Sequence, residues 1–394
     1  MRSGHRMAWR TGGTACAVAA ALSACGGEGD LPEGWTGTMT SMPSGAMVVS
    51  NLARGMWSAA EAWMLTEDLR IGRPEGEGPD VFWGIAGFGV GRGGDVFVID
   101  RSQEVRQFSS TGDFVRTMGR QGEGPGEFRD AMGIAFDPDG NAWIADGALR
   151  RYSVFDPDGA FQRTLPMIVM GFAPPWEGVF DSEGRLYDES VGLSSPSDVP
   201  FLSVRMDRSG HIDTIPELSY AIPLVGAYLP PDLLDRLVFS FDTAGTAWLG
   251  RTDQYRIVHQ RLDSWDTLRV VERALRPVPL TDAEKDSIAR PLARLGLPTS
   301  DLPAVRPVFQ RLYAGPDGTL LVQLVTPPSA NESVFDVFDR EGRLLGQVRT
   351  SVRLAEGFED PPPQVRGDCI YGIAKDSLGV QYLLRYRITK PGTG

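Results

Sequence analysis

Beyond the first 24 residues the chain holds two histidines, His211 and His259. A zinc site of three imidazoles therefore cannot be built from them. A Ser-His-Asp relay needs a histidine held beside its nucleophile. Neither residue has that setting: His211 follows the turn Asp207-Arg208-Ser209-Gly210, and His259 sits inside a strand. Cys369 lies in the apolar run Cys369-Ile370-Tyr371, where a thiol is buried and inert rather than nucleophilic. The 51 acidic residues could supply a calcium site of carboxylates and carbonyls, but no spacing singles one out, so no cofactor is expected. The glycine-rich runs GEGPG and RGGD lack the strand-to-helix context of a phosphate loop. What remains is cationic. Arg101, Arg129, Arg150, Arg151 and Arg251 form a candidate binding rim for an anionic partner, with solvated surface charge as the alternative.

The elements that must position these residues come from a repeat. Residues 119–159 contain a glycine-rich connection, Gly119 to Gly126, and then the short apolar strand Met132 to Phe136. Asp137-Pro138-Asp139-Gly140 follows as a tight turn, with Pro138 setting φ and Gly140 supplying positive φ. Asn141 to Ala145 and Arg151 to Phe155 are two more strands, and Asp156-Pro157-Asp158-Gly159 turns the chain into a fourth, Ala160 to Leu165. Four short antiparallel strands with glycine turns make one propeller blade, which needs neighbours to bury both faces. Gly72-Arg73 and Gly76-Glu77-Gly78-Pro79 anticipate Gly119-Arg120 and Gly122-Glu123-Gly124-Pro125 at offsets of 47 and 46 residues. A turn glycine followed three positions later by an aromatic or large apolar residue recurs at Gly94/Phe97, Gly140/Trp143, Gly184/Tyr187, Gly245/Trp248, Gly318/Leu321 and Gly379/Tyr382. Six units predict an all-β, six-bladed propeller of four-stranded antiparallel blades, the recurring aromatics forming inter-blade core. Asp100 and Asp146 recur at strand ends, where a carboxylate holds a turn by bonding its backbone.

The runs GEGPGEF, GIAFDPDGNAWIAD and RRYSVFDPDGAFQRT resemble the NHL repeat and the bacterial six-bladed propeller lipoproteins built on it, closely over 71–165 and loosely over 175–390. The resemblance implies a propeller used mostly for binding. A few relatives are metal-dependent enzymes, the peptidyl-hydroxyglycine lyases and the gluconolactonase- or paraoxonase-like propellers. The histidine count departs from the zinc pattern of the lyases.

Residues 1–24 read as a targeting segment: Arg2, Arg6 and Arg10 precede the uncharged run Thr11 to Ala24, too short to span a membrane. The run ends Leu22-Ser23-Ala24-Cys25, which resembles a lipobox with Cys25 as the lipidated residue. The alternative is an ordinary signal peptide with Cys25 incidental. No other span of about 20 apolar residues exists, so attachment would be through acyl chains on Cys25. Gly26 after that cysteine resembles outer-membrane sorting. The expected location is the periplasmic space or outer membrane of a bacterium. Loss of residues 1–24 with their three arginines takes the net charge from −12 to −15, which disfavours nucleic acid as a partner. Residues 25–46 read as a flexible tether and 47–390 as the propeller. Met47 to Asn51 is the candidate strand to pair with the C-terminal Gln381 to Ile388 and seal the ring. A monomer is expected.

All the recognisable first-to-second and third-to-fourth strand turns are short. The insertions 189–200, 216–237, 272–306, 326–332 and 351–367 fall in the other two connections, predicting one decorated face. Long loops are usually functional or disordered, so that face is the expected binding face. The alternative is that the loops merely cap the channel. The longest insertion predicts a helix over about 279–297, between the fourth and fifth blades, opened by a capping box at Thr281 and Glu284. Pro291 is expected to end or kink it, with Gly296 as its C-terminal cap. Residues 216–231 are expected to pack over the channel mouth or meet a partner. Two functions follow: an envelope binding or scaffolding propeller for a protein or small ligand, and a calcium-dependent hydrolase or lactonase-like enzyme at the channel.

Overall fold

The computed structural model describes residues 34–391 except 168–174, 193–197, 243–244, 301, 316, 356 and 358. The signal segment and Cys25 lie outside the described residues. The all-β, six-bladed propeller is present. Blade I consists of Ile85–Val90, Val96–Asp100, Glu104–Phe108 and Phe114–Met118. Blade II is Ala131–Phe136, Ala142–Asp146, Arg151–Phe155 and Phe161–Pro166. Blade III is Val179–Phe180, Leu186–Val191, Asp198–Met206 and Ile212–Thr214. Blade IV is Leu237–Phe241, Thr246–Arg251, Arg256–Arg261 and Thr267–Arg273, and blade V is Phe309–Ala314, Leu320–Leu324, Val334–Phe338 and Leu344–Arg349. Blade VI takes Gln364–Arg366, Cys369–Lys375 and Gln381–Thr389 from the C-terminal part and its fourth strand, Met64–Ile71, from near the N-terminus.

Closure therefore differs from expectation. Met64–Ile71, not Met47–Asn51, pairs with Gln381–Thr389, with Leu383 opposite Ile71 and Thr389 opposite Met64. Met47–Asn51 instead adds in parallel to the outer strand of blade IV, and Thr38–Ser41 pairs with it in turn. Thus part of the stretch read as tether is built into the fold, with Trp35 only 8% exposed and its indole donating to Asn51 Oδ1. Asn51 also donates to the Gly342 and Glu272 carbonyls and accepts from Leu344 N, tying blades IV and V together. The Gly379/Tyr382 turn likewise moves: it joins the second and third strands of blade VI, because the short innermost strand Gln364–Arg366 precedes them.

The core lies between blades. Phe97, Ile99 and Phe128 meet Ile134 and Ile144 between blades I and II; Trp248, Ile257, Phe309 and Phe338 join blades IV and V. The aromatics Phe97, Trp143, Tyr187 and Trp248 are buried there as expected, and Cys369 is a buried free thiol. Asp146 accepts from the backbone N–H of Leu149 in its turn and of Arg129 in the preceding connection; Asp100 does the same for Trp83 and Gly84.

One α-helix, Asp282–Arg294, lies between blades IV and V, or between the fifth and sixth if the closing blade is counted first. Its capping box at Thr281 and Glu284 is complete, and Gly296 has φ of +72° just past its end. Pro291 does not stop it; the helix continues three residues to Arg294, with Pro291 inside it. Its apolar residues Ile288 and Leu292 pack with Leu280 and Leu297 against Val225, Leu229 and Leu233, so the helix and the 216–233 segment form a small shared core. Arg306 fastens the two, pairing with Asp232 and with Glu284.

Candidate functional site: the channel mouth on the loop face

Antiparallel order within each blade puts its first-to-second and third-to-fourth turns at one end of the ring. These turns stay short throughout, the longest being five residues. Every long connection, including 72–84, 119–130, 215–236, 274–308 and 350–363, opens at the other end. One face is therefore loops and the other is tight turns.

The inner strands bring a charged cluster to the centre of the loop face. Glu177 precedes the first strand of blade III, Arg236 immediately precedes that of blade IV, and Arg311 lies in that of blade V. Arg311 Nη1 contacts Glu177 Oε2 at 2.5 Å. Blade IV stands between blades III and V in the ring, so this pair can only cross the channel. Arg236 sits beside it, with Nη2 3.5 Å from the Gln310 carbonyl. Burial, and then the neighbouring charge of Arg311, pull its pKa down.

Glu189, near the end of the second strand of blade III, lies within electrostatic reach of Arg236 and Glu177. Burial pushes its carboxyl up to about 7, against the opposing charge of Arg236 and a hydrogen bond from Tyr220. The Tyr220 phenol is raised in turn, by burial first and by Glu189 second. Tyr220 stacks on Phe201 with ring centroids 5.0 Å apart. Both Glu189 and Arg236 lie deep yet remain partly open, as in a recess rather than a packed core. Behind Glu189, Asp188 accepts from Tyr152 Oη at 2.5 Å, from Trp176 Nε1 at 2.8 Å and from Glu189 N at 2.8 Å. Burial raises it to about 6. A carboxyl near 7 beside a phenol and a guanidinium can exchange protons at neutral pH or bind an anionic group.

The arginines singled out from sequence are not gathered there. Arg101 pairs with Glu359 at 2.8 Å on the surface, and Arg129 with Glu123 at 2.8 Å. Arg151 donates to the carbonyls of Glu123, Gly124 and Glu127, holding the glycine-rich connection of blade II. Arg150 occupies the adjacent turn with φ of +52°. Arg251 pairs with Asp235 and is the member nearest the recess, close enough to influence Tyr220. His211 is exposed beside Asp213, and His259 stacks on Trp248 with centroids 4.0 Å apart. They belong to different blades.

Glu189 and Asp188 carried a sequence signal that composition hides. Aligning Phe97, Trp143 and Tyr187 places Asp188-Glu189 where blades I and II have Val98-Ile99 and Ile144-Ala145. Two carboxylates at strand positions that are apolar and buried in blades I and II break the repeat. Arg236 and Arg311 carried none, since their partners are distant in sequence and the chain is arginine-rich.

No family model matches the chain, and no curated protein matches it. Among solved structures it is similar to a Bacteroides fragilis protein described as exported, with a TM-score of 0.51 and 12% identity over 87% of this chain and 100% of the other. A member of the DUF4221 family from Bacteroides vulgatus matches at a TM-score of 0.48 and 10% identity, over 84% of this chain and 100% of that one. Virginiamycin B lyase from Staphylococcus aureus matches at 0.44 and 12% identity, over 82% and 99%. At these identities the likeness concerns the fold alone.

Proposed function

We propose that this is an exported propeller, anchored through acyl chains on Cys25 at the bacterial envelope, that binds a protein or small ligand on its loop face. The observation that carries the reading is the one-sided placement of every long connection. Two further features support it. Trp83 is 88% exposed and Leu378 is 84% exposed. Both lie in loop-face connections at the boundary of blades VI and I, where Ile85 N donates to Gln381 Oε1. Aromatic anchors of this kind dominate protein interfaces. Arg101 and Glu359 stand beside them as a polar rim. The lipid anchor rests on Leu22-Ser23-Ala24-Cys25, and export also on the description of the Bacteroides fragilis neighbour.

The test is capture from detergent-solubilised envelope with the full-length lipidated protein, compared with a Trp83→Ala/Leu378→Ser variant. A stoichiometric partner captured by the first and lost by the second is the expected result. Mass spectrometry of the mature N-terminus should find Cys25 acylated.

A second reading, a hydrolase or lactonase-like activity at the channel mouth, is favoured by the Glu189 carboxyl near 7. If nothing co-purifies and metal analysis finds about one tightly held calcium per chain, that reading displaces the first.

A further inference from the structure

Deep arginines in this chain are almost all provided for. Arg106 meets the Asp100 and Glu104 carboxylates and the Pro79 and Val81 carbonyls. Arg273 meets Asp336 and the Ala53 carbonyl, and Arg385 meets Asp68 and the Ser110 carbonyl. Such pairing offsets the cost of taking a guanidinium out of water. Arg236 is the exception at the channel mouth. Among the described residues its guanidinium, with five N–H donors, makes one contact, 3.5 Å to the Gln310 carbonyl, and no ion pair. The carboxylates nearest in influence are committed elsewhere, Glu177 to Arg311 and Glu189 to Tyr220.

The neighbouring side chain adds an independent observation. Gln310 is 5% exposed, and its Nε2 has no hydrogen-bond partner among the described residues. Buried amide donors are almost always satisfied in a native fold. The residue whose backbone carbonyl meets Arg236 therefore also carries a side-chain donor without an acceptor among the described residues. Both side chains call for an acceptor, and the guanidinium favours one carrying negative charge.

We propose that this recess binds a small soluble ligand through an oxyanion group, a carboxylate or a phosphate, with Arg236 as the guanidinium anchor and Gln310 as a second donor. The inference rests on the loop face being the binding face and names the ligand chemistry at its centre. The planar fork of Arg236 suits two oxygens of one group. The protein as a whole carries a net charge of −12, so its general field repels anions. Saturable anion binding must then come from a local site. Arg366 provides an internal control: among the described residues its guanidinium is bonded only to the Val365 carbonyl at 3.1 Å, and it ends the innermost strand of blade VI, toward the tight-turn face.

The experiment is isothermal titration of the full-length lipidated protein, in detergent at pH 6, with succinate and separately with inorganic phosphate. Saturable one-to-one binding of one of them is expected, and the arm that responds identifies the oxyanion. Arg236→Met should weaken binding by about tenfold or more and Gln310→Leu by a few-fold, as for lost charged and neutral hydrogen bonds. Arg366→Met should leave it unchanged. Circular dichroism and the urea midpoint verify that each variant is folded; should Arg236→Met fail that check, Gln310→Leu and Arg236→Lys decide. No binding of either anion, or binding untouched by the folded mouth variants, overturns the proposal. Partner capture that depends on Trp83 and Leu378 would survive that outcome, and its loss would leave the anion result standing, so the two readings fail separately.

Discussion

Glu177 and Arg311 meet at 2.5 Å although a whole blade separates them around the ring. Their pairing crosses the channel and places Glu177 beside Arg236 as a competing carboxylate. Glu177 is 41% exposed and Arg311 20% exposed, so the pair contributes little to stability. Glu177→Gln should therefore change the urea-derived stability by less than about 1 kcal/mol. It should also raise the affinity of the recess for succinate or phosphate several-fold, because one negative charge has left it. A fall in affinity would mean that Glu177 orders the recess instead of competing with the ligand.

The pH dependence follows from two carboxyls raised by burial, Glu189 from 4.5 to about 7 and Asp188 from 3.8 to about 6. Between each pair of values the folded chain holds a proton that the unfolded chain has released. Stability contributed by these groups is thus present at low pH and lost as pH rises through roughly 4 to 7. Arg236, Tyr220, Glu177 and Asp188 are the charged or titratable groups acting on Glu189. Glu189→Gln removes one of the two titrations, so the urea midpoint should fall less steeply between pH 5 and pH 8 than in the parent. The difference should be about 1–3 kcal/mol, given about 1.4 kcal/mol for each pKa unit and some solvent access. Parallel profiles would show that Glu189 is ionised in the folded protein at neutral pH. In the parent, anion affinity should also fall as Glu189 ionises, and Glu189→Gln should abolish that fall.

Asp188 has a different balance. Its charge is costly where it lies, but it accepts from Tyr152, Trp176 and a backbone N–H. Removing it orphans three buried donors at once. Asp188→Ala should destabilise by about 2–4 kcal/mol despite eliminating a buried charge, since unmet donors cost more than the charge they satisfy. Urea denaturation at pH 7 measures this, and a neutral or stabilising result would mean that water replaces the carboxylate.

The tight turns made the blades legible. An Asp or Gly opening and a Gly at positive φ recur at Gly94, Gly140, Gly184, Gly245 and Gly318, and each sits between first and second strands. The same motif misled at Gly379, because the innermost strand of blade VI is three residues long and its sequence, Gln364-Val365-Arg366, has no apolar run to announce it. The correct closing strand was also written in the repeat. The 47-residue offset that matches Gly72 with Gly119 also matches Ile71 with Met118, which ends the fourth strand of blade I. A fourth strand ending at Ile71 is therefore implied by the repeat, whereas the choice of Met47 to Asn51 as the closing strand rests only on the local apolar run Met47-Val48-Val49. The mouth was half legible: Asp188-Glu189 interrupts an apolar strand, whereas Arg236 and Arg311 acquire meaning only once three blades bring them together.

Closure yields the last prediction. The strand Met64–Ile71 covers the edge of Gln381–Thr389 and packs Leu69 and Ile71 into the core shared by blades VI and I. Thr38–Ser41 and Met47–Asn51 lie outside blade IV, where Asn51 is their main buried attachment. A chain beginning at Ala53 should keep one cooperative urea transition, weakened by several kcal/mol through loss of the Asn51 hydrogen bonds and the Trp35 contact. Asn51→Ala in the full chain should reproduce about 2–4 kcal/mol of that loss. A chain beginning at Gly72 also loses the closing strand, exposing an unpaired strand edge and apolar core. It should aggregate or lose its cooperative transition, and a synthetic peptide spanning Ala62 to Ile71 should restore solubility when added during refolding. If the chain from Ala53 collapses as completely as the chain from Gly72, the ring is sealed by the strands on blade IV and not by Met64–Ile71.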